Sequence, residues 1–408
     1  MEDRYLLVSA DGHAGPPADL YRQYLESAYH ERFDAHQAEL EAMRELTRTT
    51  DEEFGSEWEA QTGDGGLSAA YDSSVRCTKL DAEGVAVEVL FPDADVLGTG
   101  RVASSPFGSG LASGRDTEPE LVLAGARAHN RWLADFRAEE PDRRVGVAVV
   151  PITVDVDLAV AEIRAVRDLG LTGVMIPTRW FDAPAYHDPV YEPVWSTLED
   201  LGMVLHTHSG AGPADYEVGP GFMAIYATEA WWWAARPLWV LLWSGVFERH
   251  PDLTYSIAEN GAWWVPDLVK KMDEKYVGGH NTKKLGNVFR EHLTMAPSEY
   301  IDRNCFFAAS TPGGDDIDRR GDIGVGNILW GNDFPHPEGT FPYTRERVRR
   351  RFGAMSAEDA RAILGLNAVG VYGLDVERLQ PLVDRIGPTV AEIHGDMPLQ
   401  DIPLEAAS

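Results

Sequence analysis

Asp11, His13, His206, His208, Glu259, Asp333 and His336 are the residues whose types and local spacing suit chemistry. Asp11 and His13 stand two apart in Ser9-Ala10-Asp11-Gly12-His13, so an extended backbone carries both side chains to one side. His206 and His208 repeat that spacing ahead of Ser209-Gly210. Asp333 and His336 share the segment Gly331-Asn332-Asp333-Phe334-Pro335-His336. Mixed oxygen and nitrogen donors suit one divalent ion. Zinc accepts both donor types, and manganese or iron tolerates the carboxylate share. A water on such an ion ionises near neutrality, so hydroxide becomes available without a strong base. Asp333 would ligate the ion, take the proton from that water, or both. Singly, each pattern has a plainer structural reading, such as turn chemistry for Asp-x-His or a helix cap for a strand-end aspartate. Together, in this order along the chain, they point to a metal site.

The elements that must position them recur regularly. Short apolar runs at Tyr5–Ala10, Val85–Phe91, Val145–Val149, Thr172–Ile176, Met203–His206, Leu253–Ala258, Cys305–Ala308 and Ile328–Trp330 read as strands. Helix-like segments separate them: Leu158, Ile163, Val166 and Leu169 have roughly helical spacing within Asp155–Leu169, and Val190–Leu201 precedes the fifth strand. Alternation of this kind predicts parallel β/α units, and near-continuous apolar runs fit strands buried on both faces. Eight units favour a closed (β/α)8 TIM barrel over an open doubly wound sheet, and no G-x-G-x-x-G follows the first strand. Barrel active sites lie at the C-terminal ends of the strands, where all of the residues above fall. One domain is expected over residues 1–373, with a charged helical insertion at about 17–80 after the first strand. A Gly/Ser-rich loop spans 98–116, and a C-terminal extension covers 374–408.

The formal charge of −30 argues against nucleic acid and anionic membranes as partners. Cys77 and Cys305 are too few for a disulfide framework or a sulfur-ligated zinc. No basic-then-apolar leader opens the sequence, so a cytoplasmic protein is expected. The tryptophan-rich stretch from Ala230 to Phe247 reads as a buried helix pair or a subunit interface. Arg179 and Trp180, after the fourth strand, are candidates to line a pocket, as a carboxylate anchor and an aromatic wall. His336 is a candidate to orient the site or contact substrate.

Over approximately residues 5–373 the chain resembles the amidohydrolase-related group that includes aminocarboxymuconate semialdehyde decarboxylase and the resorcylate decarboxylases. The resemblance rests on Ser-Ala-Asp-Gly-His, His208-Ser209-Gly210, Phe247-Glu248-Arg249-His250-Pro251-Asp252-Leu253 and Gly331-Asn332-Asp333-Phe334-Pro335-His336. It implies that Asp11, His13, His208 and Asp333 bind the ion, with His208 preferred over His206 because a small residue and glycine follow it. It also implies a homodimer. Two positions depart from the group: Asp11 stands where several members have histidine or glutamate, and Glu259 where the decarboxylases have a catalytic histidine. The expected activity is therefore hydrolysis of a small organic, aromatic-leaning amide, ester or activated C–C bond by metal-activated water, assisted by Asp333 with Glu259 or His206. Non-oxidative decarboxylation of an aromatic or unsaturated acid is the alternative, and a non-catalytic ligand-binding barrel a third.

Overall fold

A computed structural model describes residues 3–39, 68–92, 118–210, 219–278, 287–336 and 338–395. Eight parallel strands follow one another around the sheet in chain order. They are β1 (Leu7–His13), β2 (Val85–Phe91), β3 (Arg144–Val149), β4 (Gly173–Met175), β5 (Val204–His208), β6 (Tyr255–Ala258), β7 (Cys305–Ser310) and β8 (Ile328–Gly331). The ring closes just beyond β8, where Asp333 N–H donates to Asp11 O at 2.9 Å and His13 N–H to Phe334 O at 2.7 Å. This is the expected (β/α)8 barrel.

Period-two alternation splits the buried strands between two cores. Val145, Val147 and Val149 of β3 point to the barrel interior with Val87, Val89, Phe91, Met175 and Leu329. Ala148 and the outward residues of other strands face the surrounding helices, with Ile163, Trp195 and Leu238. In β1 the pairing slips: three steps from Ser9 to Gly12 match two from Glu88 to Leu90. Such a bulge re-aims the side chains beyond it, and here those are Asp11 and His13.

The helix Val156–Asp168 is capped by the Asp155 carboxylate, which accepts from Leu158 N–H at 2.9 Å. Its buried face is Ala159, Ile163 and Val166. Leu158 and Leu169, expected on that face, are each 48% exposed because they lie at the two ends, outside the 159/163/166 stripe. The helix Glu192–Asp200 buries Val194, Trp195 and Leu198. The tryptophan-rich stretch belongs to one helix, Phe222–Trp243, followed by the short Val246–Arg249. Among the described residues no helix is long and apolar enough to cross a membrane.

The described part of the C-terminal extension packs against the barrel. Helix Val376–Ile386 sends Leu379 and Val383 into the inner cluster, and Tyr5 N–H donates to Pro388 O at 2.8 Å. It covers the end of the barrel opposite the site. The described parts of the insertion, including Ala18–Tyr24 and Ser73–Glu83, are helical. The loop expected at 98–116 lies outside the described residues.

Candidate active site

Asp11, His13, His208, Glu259, Asp333 and His336 converge at the C-terminal rim. Asp11, His13, His208 and Glu259 offer one ligand atom each, all within 4.8 Å of one another; His13, Glu259, Asp333 and His336 form a second, overlapping set. His208 Nε2 lies 3.1 Å and His13 Nε2 3.5 Å from Asp11 Oδ1. His13 Nε2 is 3.3 Å and His336 Nδ1 2.9 Å from Asp333 Oδ1. Neutral or charged, His13 is oriented by its other nitrogen, which meets Pro92 O at 2.8 Å. Its ring stacks on His336 at 3.9 Å between centroids.

The backbone at this rim is strained. The non-glycine residues with positive φ among those described are Phe181, Glu259, Thr311 and Asp333, at 45°, 50°, 46° and 55°. Glu259, Thr311 and Asp333 lie just past β6, β7 and β8, and left-handed backbone in non-glycine residues costs free energy that the surroundings must supply, a pattern that clusters at functional sites.

Charge is arranged in opposition. Burial alone would raise Asp11, but His208 and His13 beside it hold its carboxyl far below the usual range. Burial raises Asp333 too, and His336 with His13 more than offsets it. Burial and the neighbouring His336 lower His13, yet the Asp11 and Asp333 carboxylates prevail and push it up to about 9. Glu259 goes the other way. Burial first, then the Asp333 charge, push its carboxyl well above the carboxylate range.

The donor set fits a divalent cation. His13 Nε2 and Asp333 Oδ1 are buried and lie 3.3 Å apart, and neither makes a well-aligned hydrogen bond among the described residues. Buried polar atoms left so are costly unless something else satisfies them, and inward-facing imidazole and carboxylate atoms are ligands for zinc, manganese or iron.

A model for the family described as amidohydrolase matches residues 101–374. The chain belongs to the amidohydrolase family. Within that family it is 28% identical over 178 residues to a γ-resorcylate decarboxylase of Rhodococcus jostii, covering 39% of this chain and 51% of that protein. It is 27% identical over 233 residues to a γ-resorcylate decarboxylase of a Polaromonas species, covering 52% and 65% respectively. The chain thus spans between half and two thirds of the length of these relatives. A dihydroxybenzoic acid decarboxylase from Polaromonas, solved with bound manganese and the inhibitor 2-nitroresorcinol, superposes with TM-score 0.59 at 18% identity over 92% of this chain and 98% of that one. At that identity the likeness speaks for the fold alone.

The remaining candidates of this amidohydrolase chain lie outside the two ligand sets. His206 shares the inward face of β5 but lies one layer deeper, against Phe91 and the parallel ring of Tyr372, and belongs to neither ligand set. Burial and then His208 lower it to about 3, so it is neutral. Arg179 packs over Trp233 at 4.2 Å, and Trp180 lies 4.3 Å under the Arg236 guanidinium, in an aromatic layer on helix Phe222–Trp243. Cys305 is buried, with its thiol raised by burial, as suits a core residue.

Sequence reasoning missed the supports of the site. Ser310 Oγ donates to Asp11 Oδ2. Ser9 Oγ donates to Asn332 Oδ1 at 2.8 Å, tying the two motifs together. Asp316 accepts from Ala262 and Trp263 N–H at 2.6 and 2.8 Å, fixing the turn after Glu259. Ser9 and Asn332 sit inside the two recognised motifs, which was a usable signal; Ser310 and Asp316 carry none.

Proposed function

We propose that the chain is a divalent-metal-dependent decarboxylase acting on a small hydroxylated aromatic acid. Glu259 carries the reading. Burial and the nearby Asp333 charge push its carboxyl well above the usual carboxylate range, and its side chain is 28% exposed, against 0% for Asp11 and 2% for Asp333. Of these three carboxyls it is the one open to a substrate. A protonated carboxyl is a proton donor just as an imidazolium is, so the glutamate can take over the task of the histidine expected there. The relatives named as γ-resorcylate decarboxylases, and the related decarboxylase holding 2-nitroresorcinol, support an aromatic substrate.

Asp11, His13, His208 and Asp333 would hold the ion, with Glu259 and His336 at its border. Manganese in the related structure and the carboxylate share favour manganese over the zinc expected first. An ion held there would supply positive charge favouring an anionic, oxygen-bearing substrate at this rim. Glu259 then gives its proton to the ring carbon that bears the carboxylate. The carbon–carbon bond breaks, its electron pair restores the aromatic ring, and carbon dioxide leaves. One proton from solvent returns to Glu259, so the sum is aryl carboxylate plus a proton giving arene plus carbon dioxide. Asp333, kept ionised by His336 and His13, holds those rings in place.

Hydrolysis, the first expectation, retains the family description in its favour; in it Asp333 would accept the proton of an attacking water. Products separate the two. Hydroxylated benzoates incubated in D2O with the manganese-loaded protein should release carbon dioxide and gain one deuterium at the vacated ring carbon. Glu259→Gln should lower kcat by about 10²–10⁴-fold with little change in KM. Turnover of amides or esters without carbon dioxide, or an unimpaired glutamine variant, would overturn the proposal.

A further inference from the structure

We infer that Arg76, paired with Glu88, is a positioning residue that sets three of the residues assigned to the ion; the inference rests on the metal-site reading above. Arg76 and Glu88 are both fully buried. Arg76 Nε donates to Glu88 Oε2 at 2.7 Å and Nη2 to Oε1 at 3.0 Å, a two-pronged pair. The guanidinium has donors left over, and they go to main-chain carbonyls. Nη1 donates to His13 O at 2.9 Å and to Ala69 O at 3.1 Å, and Nη2 reaches Phe334 O at 3.5 Å. Its carbon lies 5.0 Å from the Phe334 ring centroid.

These carbonyls lie at the seam of the barrel. Phe334 O also accepts the His13 N–H, and Asp333 N–H donates to Asp11 O. One guanidinium therefore holds the backbone of His13 and of the residue after Asp333, while the seam bonds join His13 to Phe334 and Asp333 to Asp11. Glu88 stands on β2, next to β1, and fixes the guanidinium from beneath. Gly12 belongs to the same device, because a Cβ there would sit 3.1 Å from Glu88 Oε1 and 3.5 Å from Arg76 Nη2. The geometry explains why the ligand pair is Asp-Gly-His: the residue between the ligands turns toward the ion pair and leaves room for it.

A merely structural ion pair and a positioning one respond differently to replacement. Removing one partner of a buried pair strands the other charge, whereas replacing both with apolar side chains often restores stability. The full-length chain would be compared with Arg76→Met and Arg76→Met/Glu88→Met, reading Tm without metal, Mn2+ and Zn2+ affinity, and the visible spectrum of the Co2+-loaded protein. Arg76→Met should lose Tm and affinity together. The double variant should recover Tm yet bind the ions about 10–100-fold more weakly, with shifted Co2+ bands. Wild-type affinity and an unchanged Co2+ spectrum in the double variant would overturn the inference. Should the double variant not fold, Arg76→Lys serves in its place, since one ammonium keeps the charge but cannot span Glu88 and two carbonyls. Undiminished affinity with lysine overturns the inference equally. A wild-type chain that binds no ion overturns the metal-site reading itself, and this inference with it, an outcome distinct from a variant that binds normally.

Discussion

His13 without an ion holds a proton, and an ion must displace it. Its imidazole is raised to about 9 because two carboxylates outweigh burial and the neighbouring His336. His208 is raised as well, with burial outweighed by Asp11. Metal binding therefore releases protons, and affinity should climb by at least tenfold or so per pH unit from pH 6.5 until it levels near the His13 value. Titrations with Mn2+ at several pH values, repeated calorimetrically in buffers of different ionisation heat, measure this directly; a flat profile would sink the placement of His13 in the site. The candidate ligands were legible at this scale because alternation puts Asp11 with His13, and His206 with His208, on common faces. The resemblance preferred His208 over His206, and depth in the barrel supports that preference. His206 stands a layer lower, where burial keeps it neutral and out of reach of the ligand sets.

Strand β8 approaches β1 so closely that its last residue has room for no side chain. A Cβ at Gly331 would lie 2.7 Å from the Asp11 Cβ, nearer than packed atoms tolerate. Gly331→Ala should therefore displace Asp11 while leaving the hydrophobic layers intact. Mn2+ affinity should fall by about tenfold or more in a protein whose far-UV circular dichroism is unchanged. Full affinity would show that Asp11 is not held by this contact. All eight strands were readable as apolar runs, since parallel strands buried on both faces permit little else. The β1 bulge that aims Asp11 and His13 was not readable, because a slip of register is a relation between two strands.

For the molecule as a whole, two buried histidines set an acid limit on stability. Burial lowers His129 to about 3, and His206 likewise. Above the unfolded value near 6.5 both states are neutral and nothing changes. As pH falls from there toward 3, the unfolded chain takes up protons that the folded chain refuses. Each histidine should therefore cost about 1 kcal/mol of stability per pH unit across that window. Urea unfolding of the metal-free protein at pH 6 and 5, below the range in which His13 takes up its proton, should show a steep loss, and His129→Met should make it shallower by about that amount. Parallel slopes for the two proteins would contradict the burial-driven shift at His129.

The barrel and the order of its strands could be read along the chain, because hydrophobic periodicity and strand-end residues are local properties. How the candidate site is held emerged from packing between distant segments. Arg76 and Glu88 lie 12 residues apart and meet His13 and Phe334 from distant segments. Ser310 reaches Asp11 across 299 residues. The rise of the Glu259 carboxyl depends on burial and on the Asp333 charge close to it. Desolvation and charge proximity are set by the three-dimensional packing around a group, and no spacing along the chain encodes them.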